Sequence, residues 1–467
     1  MSTHYNVIVI GSGPAGQKAA IQATKAHKTV ALIERDKLLG GACVHRGTIP
    51  SKTLRENALR VKSMRQNAAL SNFKLDEATE LATLIDRLDY VLKAHDEYMR
   101  KQIQRNNVLR IHGRAKFINA HELQIDQVKG DPLTLTADKV IIASGSYPRI
   151  PNNIPVDHEH IFDSDSVLSM LYLPKSLVVL GGGVIASEYA SIFAALGVEV
   201  TMVDKYPRPL GFLDSDLTDT FLRGFERSGG VWMGDTVVSK VYWDGLSSVI
   251  TECEDGTIIQ SDKLLCTAGR LANVKDLKLE NAGPKLNQSG NLSVDDKLET
   301  EVTGIYAAGD VIGPPSLAST SMEQGRRASC IALGLPIGNM CKVIPSGIYS
   351  IPELSSVGIS EQEALARHED VIVGKAIFSE IARGTISGAE DGLLKIICDK
   401  KGKKILGVMI AGEGATELIH IGQMAMVTNS DVDIFVESVF NFPTLAEAYR
   451  VAALEIVGMR PQDRNVF

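Results

Sequence analysis

The sequence predicts the α/β class: two parallel-sheet units, each opened by a glycine-rich turn, and then a C-terminal α+β unit. Two observations carry this. A pattern of apolar strand, glycine-rich turn, helix, apolar strand and acid occurs twice, with the same spacing from first glycine to acid in each copy, Gly11 to Glu34 and Gly181 to Asp204. From Ser346 onward the pattern changes to strand-like runs, Leu393 to Cys398 and Ile405 to Ile410, ahead of a helix-like stretch from Ala415 to Val427. At 467 residues the chain exceeds what a single core serves, so several domains are expected.

In the first copy the apolar run ending at Ile10 suits a buried parallel strand. Gly11-Ser12-Gly13-Pro14-Ala15-Gly16 follows, with a helix from Ala15 to about Ala26 and a second apolar run, Thr29 to Ile33, that ends in Glu34 and Arg35. Gly11 permits the tight turn, Gly13 lets the backbone approach a pyrophosphate, and Gly16 lets helix and strand pack closely. The helix start offers free N–H groups and a positive dipole end to phosphates, and Glu34 can accept from a ribose diol. The second copy runs from Ser176 to Leu180, then Gly181-Gly182-Gly183-Val184-Ile185-Ala186, a helix to about Leu196, the stop residue Gly197, and the strand Glu199 to Val203 ending in Asp204. Two dinucleotide sites in one chain suggest electron transfer between two bound cofactors. After Asp204, Lys205 and Arg208 could bind a ribose 2′-phosphate, whereas Asp204 itself favours the free diol; both signs together suit a site that accepts NAD and NADP.

Net charge is −7, so no general field gathers nucleic acid or an anionic membrane. The apolar run near the N-terminus is too short to be a span or a leader, and no metal-ligand cluster is visible. The six cysteines are scattered without a C-x-x-C pair, which reads as a reduced, cytoplasmic protein. Arg55 to Asn107 reads as long helices packed on the first unit.

Downstream of Glu34 stands Gly40-Gly41-Ala42-Cys43-Val44-His45-Arg46-Gly47-Thr48-Ile49-Pro50-Ser51-Lys52. This resembles the active-site segment of the flavoprotein disulfide reductases. The resemblance implies FAD at the first fold and NAD(P) at a second fold inserted into it. It extends to Ile141-Ile142-Ala143-Ser144-Gly145 as an exit strand, Leu264 through Gly269-Arg270 as the return strand, and Thr300 through Gly309-Asp310 as a second FAD motif whose acid bonds the ribityl chain. Ala115, Leu317 and Ala318 join the implied cofactor contacts. The implied division is 1–148 and 273–340 for FAD, 149–272 for NAD(P), and 341–467 for a C-terminal dimerisation domain, in a homodimer or an assembly built from dimers.

The departures from that family bear on the reaction. A disulfide reductase needs two cysteines; here Cys43 is followed by Thr48 at the second position, and a hydroxyl cannot close a disulfide. The C-terminal histidine is replaced by Phe442, leaving Glu447 with no imidazole to orient. Lys52 and Glu188 match the family's cation and its partner beside the reactive flavin nitrogen. With this pattern of losses the chain is similar to the soluble, Si-specific pyridine nucleotide transhydrogenases within that family. This implies a ping-pong hydride relay between NADPH and NAD+ with NAD(P)(H) as substrates. A quinone or dye reductase and a non-catalytic flavin redox sensor stay open as alternatives, and Thr48 and Phe442 oppose a dihydrolipoamide dehydrogenase. Cys43 reads either as a retained packing residue or as a redox-sensing thiol, and His45 as a candidate proton shuttle.

Overall fold

A computed structural model describes residues 3–66, 77–367, 370–389 and 391–461. The first sheet is centred on the strand His4–Ile10, which pairs in parallel with Val30–Glu34 and with Leu133–Ile142. Leu109–Asn119 extends it in parallel beyond Val30–Glu34, and Glu122–Gln127 joins by antiparallel pairing. Val7 through Ile10 are all buried, as expected of a strand covered on both faces. One covering layer is the alanine-rich face of the helix Pro14–Lys25, packed on the helix Ala318–Ala332. The two approach so closely that a Cβ on Gly325 would lie 2.0 Å from the Ala15 carbonyl oxygen.

The second sheet is wholly parallel, in the order Val231–Met233, Glu199–Val203, Ser176–Leu180, Lys263–Cys266, Ile161–Asp163. An antiparallel hairpin layer, Val238–Trp243, Val249–Cys253 and Ile258–Ser261, lies within the same stretch of chain. The chain leaves and re-enters through Ser146–Pro148 and Arg270–Ala272, which pair antiparallel. It then adds Ile305–Ala307 to the first sheet beside Leu133–Ile142. The second parallel sheet is therefore inserted into the first, in line with the fold class read from the sequence.

The C-terminal unit is an antiparallel sheet in the order Ser346–Ile348, Leu354–Gly358, Ile405–Ala411, Leu393–Asp399, Val371–Ile377, covered by the helices Ala415–Val427 and Glu447–Met459. The helices Thr48–Gln66 and Glu77–Arg105 occupy the stretch read as helical between Arg55 and Asn107; residues 67–76 of that stretch lie outside the described residues. Among the described residues, no helix is long and apolar enough to cross a membrane.

Two buried ion clusters join the units. Arg55 donates to Glu353 Oε2 and to the Ser350 carbonyl, both at 3.0 Å, tying the helix Thr48–Gln66 to the C-terminal unit. Lys395, with no exposed side chain, contacts Asp214 at 2.8 Å, Asp216 at 2.7 Å and Glu361 at 2.6 Å. Asp214 caps the helix Ser215–Arg227 of the second unit by accepting from Asp216 N at 3.1 Å.

Candidate functional site

The two glycine turns are built alike. Gly11 has φ 101°, and a Cβ there would lie 2.3 Å from the Ala143 carbonyl oxygen; Gly181 has φ 113°, with Thr267 Oγ1 2.7 Å from the corresponding point. Neither position tolerates a side chain. A Cβ on Gly16 would lie 1.8 Å from the Gly11 carbonyl oxygen, so this glycine serves packing. The middle glycines differ: a Cβ on Gly13 or Gly183 would meet nothing within 4 Å. Both sit at the start of a helix that no side chain caps, so the first helical N–H groups are available to an anion.

Each acid braces its turn. Glu34 Oε2 accepts from Ser12 N at 2.9 Å and Ser12 Oγ at 2.6 Å, and Glu34 Oε1 accepts from Asp36 N at 2.8 Å. Asp204 repeats this, accepting from Gly182 N and, at 3.1 Å, from Tyr206 N.

A cleft of about 620 Å³ starts at the first turn and runs between the units. Of the residues read from the sequence, Gly11, Gly13, Pro14, Ala15, Glu34, Arg35, Gly41, Ala42, Cys43, Thr48, Lys52, Ala115, Ala143, Ser144, Gly145, Val184, Ile185, Glu188, Gly309, Asp310, Leu317 and Ala318 line it. Gly16, Gly181, Gly183, Asp204, Lys205, Arg208 and Gly269 do not. Gly16 is enclosed by its own turn, Gly269 accepts from Arg149 N at 2.9 Å, and the others belong to the second turn or to the chain that follows Val203. Arg208 contacts Asp219 at 2.6 Å, and Lys205 Nζ stands 5.0 Å from the Tyr206 ring centre.

Lys52 and Glu188 come from different units and meet in the cleft wall. Lys52 Nζ donates to Glu188 Oε1 at 2.8 Å and Oε2 at 2.6 Å. A third unit holds both: Tyr349 donates its backbone N–H to Glu188 Oε1 at 3.0 Å, and its ring centre lies 4.8 Å from Lys52 Nζ. Tyr349 was not among the site residues read from the sequence: its segment, Gly347 to Glu353, resembles that of the transhydrogenases, but no spacing rule joins it to Lys52. Asp165 and Tyr189 were not read as site residues either, and Arg270 was read only as part of the return strand. Arg270 reaches Asp165 at 3.0 Å, Ser164 Oγ at 3.1 Å and Ser146 Oγ at 2.9 Å, and Ser146 Oγ donates to Asp310 at 3.0 Å. This chain of bonds links the entry and return strands to the second FAD motif expected from the sequence.

Burial pushes the Cys43 thiol above its ordinary pKa; a hydrogen bond with Thr48 draws it back, Asp310 raises it further and Lys52 lowers it. A thiol held above its ordinary value is harder to ionise, which favours the packing reading over a reactive one. His45 turns a ring nitrogen to the Leu39 carbonyl at 2.6 Å and does not line the cleft, so the shuttle reading has no geometry behind it. Phe442 is 75% exposed and also stands outside the cleft.

A sequence profile described as pyridine nucleotide-disulphide oxidoreductase matches residues 5–325, and the profile of that family's dimerisation domain matches residues 344–453. The chain belongs to the pyridine nucleotide-disulphide oxidoreductase family. Among its relatives, the soluble pyridine nucleotide transhydrogenase of Mycobacterium bovis is 42% identical over 457 residues, 97% of each chain. That of Vibrio vulnificus is 40% identical over 458 residues, 97% of this chain and 98% of the relative. Among solved structures, LpdA from Mycobacterium tuberculosis is similar with TM-score 0.89 at 27% identity, covering 97% of this chain and 100% of LpdA. The Cu(II) complex of the HOCl-induced flavoprotein disulfide reductase RclA from Escherichia coli gives 0.88 at 28%, covering 97% and 99%.

The oxidoreductases of this family use FAD together with NAD or NADP. The cleft of this family member fits the flavin nucleotide on its own terms. It has an open approach at Gly13, an uncapped helix start, a fixed acid at Glu34, and a buried Ser144 hydroxyl with no partner among the described residues. A buried hydroxyl left unpaired is costly, and a polar ligand in the cleft relieves that cost.

Proposed function

We propose that this chain is a soluble, Si-specific pyridine nucleotide transhydrogenase that passes a hydride between NADPH and NAD+ by way of bound FAD. The observation that carries the reading is Thr48 in place of a second cysteine, lining together with Cys43 a cleft that keeps the Lys52–Glu188 pair. With a hydroxyl in place of the second thiol there is no dithiol to receive electrons, so they must leave on a diffusible carrier. Relatives named soluble pyridine nucleotide transhydrogenase, at 40–42% identity, support the transhydrogenase activity.

When bound, FAD supplies the centre that accepts a hydride from one nucleotide and delivers it to the next. The protein's residues bind, orient and exclude water. Gly11 through Gly16 and the helix start at Pro14 would hold its pyrophosphate, and Glu34, with Arg35 beside it, the adenosine ribose. Gly41, Ala42, Ala115, Ala143 to Gly145, Gly309, Asp310, Leu317 and Ala318 complete that wall. Lys52, fixed by Glu188 and Tyr349, sets a positive charge where negative charge develops during transfer. Gly181, Gly183, Val184 and Ile185 would take the nicotinamide nucleotide's pyrophosphate, with Asp204, Lys205 and Arg208 at its ribose. Residues 1–148 and 273–340 then form the FAD domain, 149–272 the NAD(P) domain, and 341–467 the dimerisation domain. We place the enzyme in the cytoplasm as a homodimer or an assembly of dimers; the dimerisation-domain match and the exposed Phe442 support the pairing.

The test mixes the yellow holoprotein with NADPH and thio-NAD+, with NADPH and a quinone, and with dihydrolipoamide and NAD+. Prompt thio-NADH formation is expected. Turnover with quinone alone would overturn the reading in favour of a quinone reductase.

A further inference from the structure

The loop after the second strand carries charges of both signs, and the structure shows how they are arranged. Asp204 stands at the end of Glu199–Val203, and the loop then folds back on the glycine turn. Leu210 N donates to the Gly182 carbonyl at 2.7 Å, and a Cβ on Gly182 would lie 3.2 Å from Pro209 Cα. Arg208 therefore borders the turn where a nucleotide's adenosine ribose is expected, a few residues beyond the acid that suits a free diol. Its guanidinium is already partnered. It donates to Thr218 Oγ1 at 3.3 Å and pairs with Asp219 at 2.6 Å, both on the helix Ser215–Arg227. The pair is half-exposed, with 46% of the arginine side chain and 37% of the aspartate side chain accessible. Asp204 uses its two oxygens on the Gly182 and Tyr206 amides but keeps lone pairs for a ribose hydroxyl.

We propose that Asp219 is a resident stand-in for the ribose 2′-phosphate and sets the balance between the two nucleotides. The inference rests on the transhydrogenase reading and concerns its substrate choice. With NAD(H) bound, Arg208 stays on Asp219 and Asp204 accepts from the 2′-hydroxyl. With NADP(H) bound, the guanidinium leaves Asp219 and takes the 2′-phosphate, whose charge exceeds that of one carboxylate. Because the carboxylate competes for Arg208, NADP(H) is held less tightly than a free arginine would hold it. That suits a ping-pong enzyme in which each nucleotide must leave the site before the other enters. Opening a solvent-exposed pair costs little, so the competition amounts to about two- to fivefold in affinity.

The test uses calorimetry on the FAD-loaded protein with two probes, adenosine 2′,5′-bisphosphate and adenosine 5′-monophosphate. In Asp219→Asn the bisphosphate binds about two- to fivefold tighter, and the monophosphate is unchanged. In Arg208→Gln the bisphosphate weakens about tenfold or more. Adding Asp219→Asn to Arg208→Gln then produces no tightening, because the competitor acts only through the arginine. A merely structural tether between loop and helix would move both probes together, and that result overturns the proposal. So does unchanged bisphosphate binding in Asp219→Asn while NADPH still bleaches the wild-type flavin. If wild-type protein binds the two probes equally and NADPH fails to bleach the flavin, the transhydrogenase reading falls first and the inference with it.

Discussion

Replacing Lys395 by methionine tests how the second unit is fastened to the C-terminal sheet. The substitution preserves the buried stem and deletes the charge. Three carboxylates then lose their shared cation, but unequally. Asp216 keeps Lys375 at 2.9 Å, and Glu361, with 30% of its side chain accessible, can turn to water. Asp214 is fully buried and, among the described residues, its carboxylate keeps the N–H groups of Asp216 at 3.1 Å and Glu361 at 3.0 Å. The cost is therefore mainly one unpaired buried carboxylate, and breaking such a pair from one side costs about 3–5 kcal/mol. The two remaining N–H bonds place the expectation near about 3 kcal/mol at neutral pH. Trp232 and Trp243, the chain's two tryptophans, both lie in the second unit, so their fluorescence in a urea titration reports its first transition. Lys395→Met with Asp214→Asn should recover most of the loss, because asparagine caps the helix as well as aspartate does. The pH dependence has a definite sign. Burial pulls the Lys395 pKa down, but its three carboxylate partners outweigh burial and raise it. Its contribution is thus full below the ordinary lysine value and is lost as pH climbs through the raised one. Asp216 is held below its ordinary value, since the bonds from Lys395 and Lys375 outweigh its burial, so its share is lost on acidification through that lower value. A loss under about 1 kcal/mol, or a double variant no better than the single, would refute the reasoning.

Other outcomes follow from the site. Gly11→Ala forces a Cβ to 2.3 Å from the Ala143 carbonyl oxygen and should yield protein without FAD, whereas Gly13→Ala meets no neighbour within 4 Å and should fold with weakened FAD binding. The flavin-to-protein absorbance ratio checks this, and equal loss in both would contradict it. Lys52→Met should slow flavin bleaching by NADPH about a hundredfold in stopped flow; a change under about threefold would remove Lys52 from the transfer step. Because burial raises the Cys43 thiol, iodoacetamide should label exposed Cys341 first at neutral pH, with Cys43 labelling growing only as the pH is taken above the ordinary thiol range. Mass spectrometry that finds Cys43 modified first at neutral pH would restore the redox-sensing reading.

The parts legible in the sequence are those whose physics is local. A tight turn, a close backbone approach and an acid at the next strand end must recur at fixed spacing, because one strand and one helix turn set their distances. Both turns were therefore readable, and their geometry matches down to Gly11 and Gly181. The loss of the second thiol at Thr48 was readable too, since it is a single atom's chemistry at a position the resemblance marks. The Lys52–Glu188 partnership rested on the resemblance alone, because no spacing rule joins residues in different units.

The sequence by itself determined the α/β class, the two nucleotide turns and the absence of a cysteine at position 48. Only the tertiary structure decided that Tyr349 clamps Lys52 and Glu188, that Arg270 ties Asp165 to Ser146, and that Arg208 rests on Asp219. The physical reason is that side-chain ion pairs and hydrogen bonds act over a few ångströms in space whatever the separation along the chain, so their partners carry no periodicity to read.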